Sequence, residues 1–181
     1  MHAVEDARQR ATRAVVTRSG GGAVGGVRAA DAVRAVGVGD LAQALKQGGL
    51  VAASTGLTID ETTASLAAFA SAGLIGSDAG TSLKTMLQRL SAPSKESAAL
   101  MEKLGISAYD ASGEFVGMES LAGQLQDGLG DLTAEQRNSA LATIFGQDAI
   151  RAASILYDEG AEGIAKWTDE VNDAGFAAQT A

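Results

Sequence analysis

Cysteine is absent from the chain of 181 residues, and the one histidine is His2, next to the N-terminus. Disulfides, thiolate metal sites and cysteine nucleophiles are therefore excluded. Catalytic triads built on histidine and metal sites that need several histidines are excluded as well, because one terminal imidazole cannot supply them.

Proline and aromatic residues are also scarce. The chain has one proline and 4% aromatic residues beside 23 glycines, and its hydrophobic share of 46% is mostly Ala, Val and Leu. A single proline leaves long stretches free to be helical, and alanine favours helix. Helices with such small side chains can pack closely, although each contact buries little area.

Long hydrophobic runs are missing. No stretch of about 18 apolar residues exists, so the sequence predicts no transmembrane span. The start of the chain, with Glu5 and Asp6 among arginines, lacks the apolar core of a signal peptide. The default expectation is a cytoplasmic protein.

Charge is unevenly distributed around a formal net value of −8. Residues 1–36 hold 6 basic and 3 acidic side chains, whereas the rest of the chain holds 8 basic and 19 acidic ones. An acidic body argues against nucleic-acid binding. The basic N-terminus can contact an anionic partner, but a solvated arm, or a helix in a larger assembly, is the simpler interpretation.

Helix signals divide the rest of the chain into short amphipathic segments. Two capping boxes, starting at Thr58 and Thr133, mark helix starts, and Ser77 and Ser94 are predicted as further N-caps. Apolar residues recur at helical spacing after these starts. The stripes are Leu66, Phe69 and Ala70; Leu83, Met86, Leu87 and Leu90; Leu100, Met101 and Leu104; Met118, Leu121, Ala122, Leu125 and Leu129; Leu141, Ile144 and Phe145; Ile150, Ala153 and Tyr157; and Ile164, Trp167 and Val171.

The sequence therefore predicts an all-α fold, a bundle of six to seven short amphipathic helices with one small hairpin-like or extended segment near 106–116. No strand–helix alternation is present, which disfavours a parallel sheet. Three regions are expected. Residues 1–37 form an Arg- and Gly-rich N-terminal arm, with possible helices at 3–17 and 27–36 around a flexible joint at 19–26; residues 38–175 form the helical domain; residues 176–181 are the end of a truncated tail.

One glycine motif has the spacing of a nucleotide-binding loop. Gly20, Gly22 and Gly25 match G-x-G-x-x-G, and Asp40 follows at about the expected distance. That mechanism needs a strand before the glycines and a helix after them within a βαβ unit, and no second β unit follows. A flexible glycine linker is the favoured interpretation.

Acidic residues provide the remaining candidates for chemistry. The pairs Asp60/Glu61, Asp158/Glu159 and Asp169/Glu170 are adjacent in helices, so their side chains point about 100° apart and do not converge. Asp110, Ser112 and Glu114 alternate as in a calcium loop but lack its further ligands, and a type I turn from Asp110 to Gly113 is favoured. Tyr157 and Trp167 are expected in the core or at an interface. No catalytic, cofactor-binding or metal-binding residue is predicted.

One region resembles a known family. The segment Leu57–Leu90 and its flanks contain Gly56, Leu57, Thr58; Ala72, Gly73; Gly76, Ser77, Ala79, Gly80, Thr81, Leu83; and Arg89, Leu90, Pro93 in the order typical of phage tail tape measure proteins, also called minor tail proteins. The likeness extends over about 38–175. It includes an upstream helix at Asp40–Leu45, Leu104-Gly105-Ile106 with Asp110, Gly113 and Phe115, a helix at Met118–Leu129, and Ile144-Phe145-Gly146 with Ala149.

The resemblance implies structural work in tail assembly and tail length determination. Proteins of this family act as scaffolds inside the tail tube. We therefore expect tail tube protein and tail assembly chaperones as partners, a homo-oligomer in the tail lumen, and a location in the virion tail after assembly in the host cytoplasm. A wholly helical chain of this length would span roughly 270 Å, so the chain is expected to be one domain of a longer ruler.

Two alternatives remain open from the sequence. Tape measure proteins can carry peptidoglycan-degrading domains, but the nucleophile, metal site or converging carboxylates of such an enzyme are not found here, so we expect no enzyme. A helical adaptor or scaffold protein unrelated to phage is the second alternative, and its partners would be cellular proteins instead of tail proteins.

Overall fold

The computed structural model describes residues 38–179, which form seven α-helices. They are α1 (Val38–Thr55), α2 (Ile59–Ser71), α3 (Gly76–Ser91), α4 (Lys95–Leu104), α5 (Met118–Leu129), α6 (Ala134–Phe145) and α7 (Ile150–Gln179). The predicted all-α bundle is confirmed for this part of the chain. The predictions for 3–17, 19–26 and 27–36 lie outside the described residues.

Local capping signals mark three of the seven described helix starts, those of α2, α4 and α6. Thr58 and Thr133 form the two predicted capping boxes, in which each threonine hydroxyl accepts from the backbone N–H three residues on and the Glu61 or Gln136 side chain accepts from the threonine N–H. Ser94 caps α4 by accepting from the Ser97 N–H at 3.1 Å. Each cap satisfies amide groups that have no partner within the helix.

The predicted N-cap of α3 at Ser77 is wrong. The helix begins at Gly76, and its N-cap is Ile75, which makes no side-chain capping bond. Instead, Gly76 lies against α1, where an added Cβ would be 3.3 Å from Oδ1 of Asp40. Packing against α1 therefore fixes where α3 begins. The nearby carboxylate of Asp40 also interacts favourably with the positive, N-terminal end of the α3 dipole.

The segment between α4 and α5 is hairpin-like, as predicted. Tyr109 and Phe115 form an antiparallel bridge, and their rings meet edge to face with centroids 5.9 Å apart. The Gly113 N–H donates to the Asp110 carbonyl at 3.0 Å, which closes the predicted turn. Oδ1 of Asp110 accepts from the Ser112 and Glu114 N–H groups, so this carboxylate satisfies the loop backbone.

The hydrophobic stripes meet in one core. The stripe of α3 is fully buried, as is that of α5, and both ends of the chain's described part contribute small residues such as Ala44, Ala52, Ala152 and Ala153. The largest fully buried side chains are Phe69, Phe145, Leu74, Leu83, Met86, Leu87, Met118, Leu121, Leu125, Leu129, Leu141 and Ile144.

α7 is broken near its middle. Gly160 has φ 63° and ψ −172°, whereas the residues on either side are helical. The sequence predicted two separate apolar stripes here, one ending at Tyr157 and one beginning at Ile164, and the break at Gly160 lies between them. The structure adds that the second part continues to Gln179.

α1 and α3 make the most extensive helix contact, and glycine permits it. They run in the same direction, because Asp40 lies against Gly76 while Ala44 and Gly48 lie against Gly80. A Cβ added at Gly48 would be 2.7 Å from the carbonyl oxygen of Gly80, and one at Gly80 would collide with the backbone of Ala44. The two backbones therefore touch directly, with no side chain between them.

The adjacent glycines of α1 give a matched test of this contact. Gly48→Ala places a methyl group against the Gly80 carbonyl, so we expect a loss of about 1–3 kcal/mol from the free energy of unfolding. In Gly49→Ala the new Cβ would meet only the Leu45 side chain, at 4.0 Å. That variant should therefore gain up to about 1 kcal/mol from helix propensity.

Urea denaturation of both purified variants measures the difference. Equal stability changes at the two positions would contradict the close contact between α1 and α3, because helix propensity alone treats the two glycines alike.

Candidate functional site

The residues that carry the sequence resemblance occupy turns, caps and close helix contacts. Leu57 joins α1 to α2, and its N–H donates to the Ala52 carbonyl at 3.0 Å. Gly73 follows the end of α2, and its N–H donates to the Ala70 carbonyl at 2.9 Å. Together with Gly80 at the α1 contact, these residues shape the bundle.

A second pair of these residues meets across the bundle. The guanidinium of Arg89, near the end of α3, lies over Gly146, so that a Cβ at Gly146 would be 3.0 Å from one of its terminal nitrogens. Gly146 ends α6. A positive charge at the C-terminal end of a helix is favourable, which gives the basic residue of the motif a structural role at the α6–α7 turn.

The turn after α4 is also built around glycine. Gly105 adopts the left-handed conformation with φ 71°, and the Ile106 N–H donates to the Met101 carbonyl at 2.9 Å. These features are typical of a Schellman-type helix end. The buried Ile106 side chain then anchors the hairpin segment to the core.

The predicted carboxylate pairs do not form a shared site. Glu61 is occupied by its capping box at Thr58, with its Oε2 accepting from the Thr58 N–H at 3.0 Å. Glu159 accepts from the indole N–H of Trp167 at 3.2 Å. Asp60, Asp158 and Asp169 are exposed. These surroundings favour capping for Glu61 and solvation for the three exposed aspartates, whereas Glu159 is held by Trp167.

Tyr157 and Trp167 are half-buried and pack against the core, as predicted. The guanidinium of Arg137 lies 4.6 Å from the centroid of the Tyr157 ring, and its Nη1 donates to the Tyr157 hydroxyl at 3.1 Å. This cation–π contact ties α6 to the first half of α7. Local spacing holds no signal for this contact, because Arg137 and Tyr157 lie 20 positions apart on different helices.

Buried serines form a further set of contacts that sequence reasoning missed. The Ser82 hydroxyl donates to the Asp148 carbonyl at 2.9 Å, and the Ser97 hydroxyl lies 3.4 Å from the Ile144 carbonyl. Both serines sit among apolar positions of α3 and α4. A serine on an apolar helix face could have indicated these contacts, because a buried hydroxyl needs a hydrogen-bond partner.

An open cleft of about 730 Å³ lies where α1 and α3 end beside the hairpin. Its wall includes Thr55, Gln88 and Glu114, together with Ser91 and Tyr109, whose hydroxyls are 2.6 Å apart. These hydroxyls satisfy one another, and Glu114 is exposed. The cleft therefore presents polar surface without a set of converging groups that would activate a substrate.

A metal centre and a membrane span are two further kinds of site to consider. Among residues 38–179 no group of three or more acidic, histidine or cysteine side chains is placed to hold a metal ion. None of the helices described combines the length and the hydrophobicity needed to cross a bilayer. The glycine motif at residues 20–25 lies outside the described part, and Asp40, its predicted acidic partner, lies in α1 beside Gly76.

Arg137→Ala tests the contact between α6 and α7. Removing the guanidinium deletes the stacking on Tyr157 and its hydrogen bond, so we expect the free energy of unfolding to fall by about 1–2 kcal/mol. Arg151→Ala is the control, because Arg151 is exposed on α7 and its loss should change stability by less than about 0.5 kcal/mol. Thermal unfolding of both variants gives the comparison. An Arg137→Ala variant as stable as its control would contradict a stabilising role of the contact between Arg137 and Tyr157.

Comparison with known proteins identifies similar sequences. The family described as "Phage-related minor tail protein" matches residues 25–146. A "Tape measure protein" of Pneumococcus phage Dp-1 is 39% identical over 143 residues, which is 78% of this chain and 12% of that protein. A "Probable tape measure protein" of Escherichia phage P2 is 30% identical over 125 residues, or 68% of this chain and 15% of that protein. No solved structure matches significantly.

Proposed function

Because this chain belongs to the phage-related minor tail protein family, we propose that it is a compact helical domain of a tape measure protein that acts in tail assembly and length determination. The match with the Dp-1 tape measure protein, at 39% identity over 78% of the chain, carries this proposal. The matched length covers most of the helical bundle, which supports a shared fold as well as a shared sequence.

The chain spans only 12% and 15% of the two relatives, so it corresponds to one part of a much longer ruler. A continuous helix of 142 residues would extend about 210 Å, but residues 38–179 are folded back into short helices that pack side by side. We infer that this domain adds less length to the ruler than a continuous helix of the same number of residues would. It serves instead as a folded unit of the scaffold.

The proposed role is structural. The motif residues make caps, turns and backbone contacts, and the acidic side chains of the described part do not converge on a cleft. Such a domain offers surfaces to neighbours in the tail, and we propose the tail tube protein, the tail assembly chaperones and further copies of the same protein as those neighbours. The acidic body disfavours nucleic acid as a partner. The alternative, a helical adaptor unrelated to phage, receives no support from the two relatives.

Complementation of a phage whose parent gene is interrupted tests the role of the fold. We expect a parent gene carrying Gly49→Ala in this domain to restore tails of normal length. Gly48→Leu should give few or no normal tails, because the larger side chain forces α1 away from α3. Electron micrographs of lysates provide tail counts and lengths.

One result of this experiment would contradict the proposal. Normal numbers of infectious particles with normal tails from Gly48→Leu, when the purified variant domain is shown to be unfolded, would mean that tail assembly does not need this bundle.

A further inference from the structure

The break in α7 is the least regular feature of the helices described. Gly160 combines φ 63° with ψ −172°, a region of backbone conformation open essentially only to glycine. The helix is intact before and after this residue, so one residue carries the change of direction. An alanine in its place would favour the helical conformation instead.

Side chains from α5 hold the break in place. The Gln126 amide lies against Gly160, so that a Cβ there would be 2.8 Å from Cδ of Gln126. Its Nε2 also donates to the Tyr157 carbonyl at 3.4 Å. In an unbroken helix that carbonyl would accept from the Ala161 N–H, so Gln126 supplies a substitute donor at the bend.

Further contacts bridge or border the break. The Trp167 indole N–H donates to Glu159 across it, and the Glu159 side chain folds over Gly163, where a Cβ would meet Cβ of Glu159 at 2.8 Å. On the α5 side, a Cβ at Gly123 would lie 3.1 Å from Cβ of Ala161. Small residues therefore lie at each point of close approach around the bend.

The two halves of α7 are attached to the bundle differently. The first half is held by Arg137 on Tyr157 and by the fully buried Ala152, Ala153 and Leu156. In the second half, Ile164 is the fully buried large side chain of residues 161–173, and Trp167 is half-buried. Release of the second half therefore uncovers far less core than release of the first.

We propose that α7 is a two-state helix with its hinge at Gly160 and its latch at Gln126. In the closed state, which the structure shows, the second half lies along α5. In the open state Gly160 becomes helical, Gln126 leaves the Tyr157 carbonyl, and α7 runs straight away from the bundle. The device would let this domain pass from a compact bundle into an extended helix, and it does not depend on the proposed role in tails.

Spin labels on the full chain test this directly, because the chain has no cysteine of its own. α5 and α7 run antiparallel, since Gly123 lies against Ala161 and Gln126 against Tyr157 and Gly160. Labels at Glu119→Cys and Asp169→Cys, two exposed positions, therefore report the separation of α5 from the second half of α7. Pulsed electron resonance gives the distance distribution.

In the labelled protein that keeps Gln126, we expect one short distance between the two labels. In Gln126→Ala we expect a second population with a longer distance. The longer distance should become the main population in Gly160→Ala, with helical circular dichroism retained. The single tryptophan should shift its emission to longer wavelength in parallel, because Trp167 loses Glu159 and becomes more exposed. Asp127→Ala, an exposed neighbour of the latch, is the matched control and should behave as the parent.

Two results would overturn the proposal. One is a single short distance in both Gln126→Ala and Gly160→Ala. The other is loss of the helical signal in Gly160→Ala, because the bend would then be a requirement of the fold and not one of two states.

Discussion

Direct contact between helix backbones is the constraint on which this bundle depends. α1 and α3 touch at Gly48 and Gly80, and at Gly123 α5 packs closely on the methyl side chain of Ala161 in α7. A third contact brings Gly128 of α5 so close to the Leu104 carbonyl that an added Cβ would lie 2.5 Å from that oxygen. Each contact requires a glycine, because a Cβ atom at that position would crowd its neighbour or collide with it. The fold therefore depends on the positions of the glycines as much as on those of the leucines.

Close approach compensates for small side chains. Alanine and glycine bury little apolar area, and a core built from them gains less from the hydrophobic effect than one built from larger residues. When backbones touch, many atom pairs come within van der Waals distance, and weak Cα–H···O contacts become available. The larger side chains, such as Phe69, Met86 and Phe145, then fill the space between the helix pairs.

The residues of the family motif contribute to helix contacts and helix ends. Gly80 lies in the contact with α1, Arg89 covers the glycine that ends α6, and Thr58 caps α2. These residues position helices relative to one another, which is the work expected of a scaffold. A defined shape requires such contacts, and the motif residues supply several of them.

Local features of the fold were predictable from the sequence, whereas contacts between helices were not. Capping boxes at Thr58 and Thr133 and the apolar stripe of α3 depend on residues within a few positions of one another, and all were confirmed. Ser77 had the right residue type for a cap, but the N-cap is Ile75, so α3 begins two residues earlier than predicted, where it packs against α1. Local spacing cannot show which distant segment a glycine will meet.

The pair Gly48 and Gly49 illustrates this limit. The two glycines are adjacent and look alike in the sequence, yet the structure gives Gly48 a specific contact and gives Gly49 none beyond Leu45. The predicted carboxylate pairs could be assessed from helix geometry alone, because adjacent helix residues diverge. The Arg137–Tyr157 stacking and the Gln126 latch could not, since each joins different helices.

Native-state hydrogen exchange of α1 measures the central claim most directly. If backbone contact with α3 binds α1 into the bundle, the amides of Ala44–Ala52 should exchange with the same free energy of opening as those of Leu83–Leu90, because both helices open only on global unfolding. Exchange of the α1 amides through a separate opening of much lower free energy would contradict the account, since α1 would then be an appendage that the rest of the fold does not need.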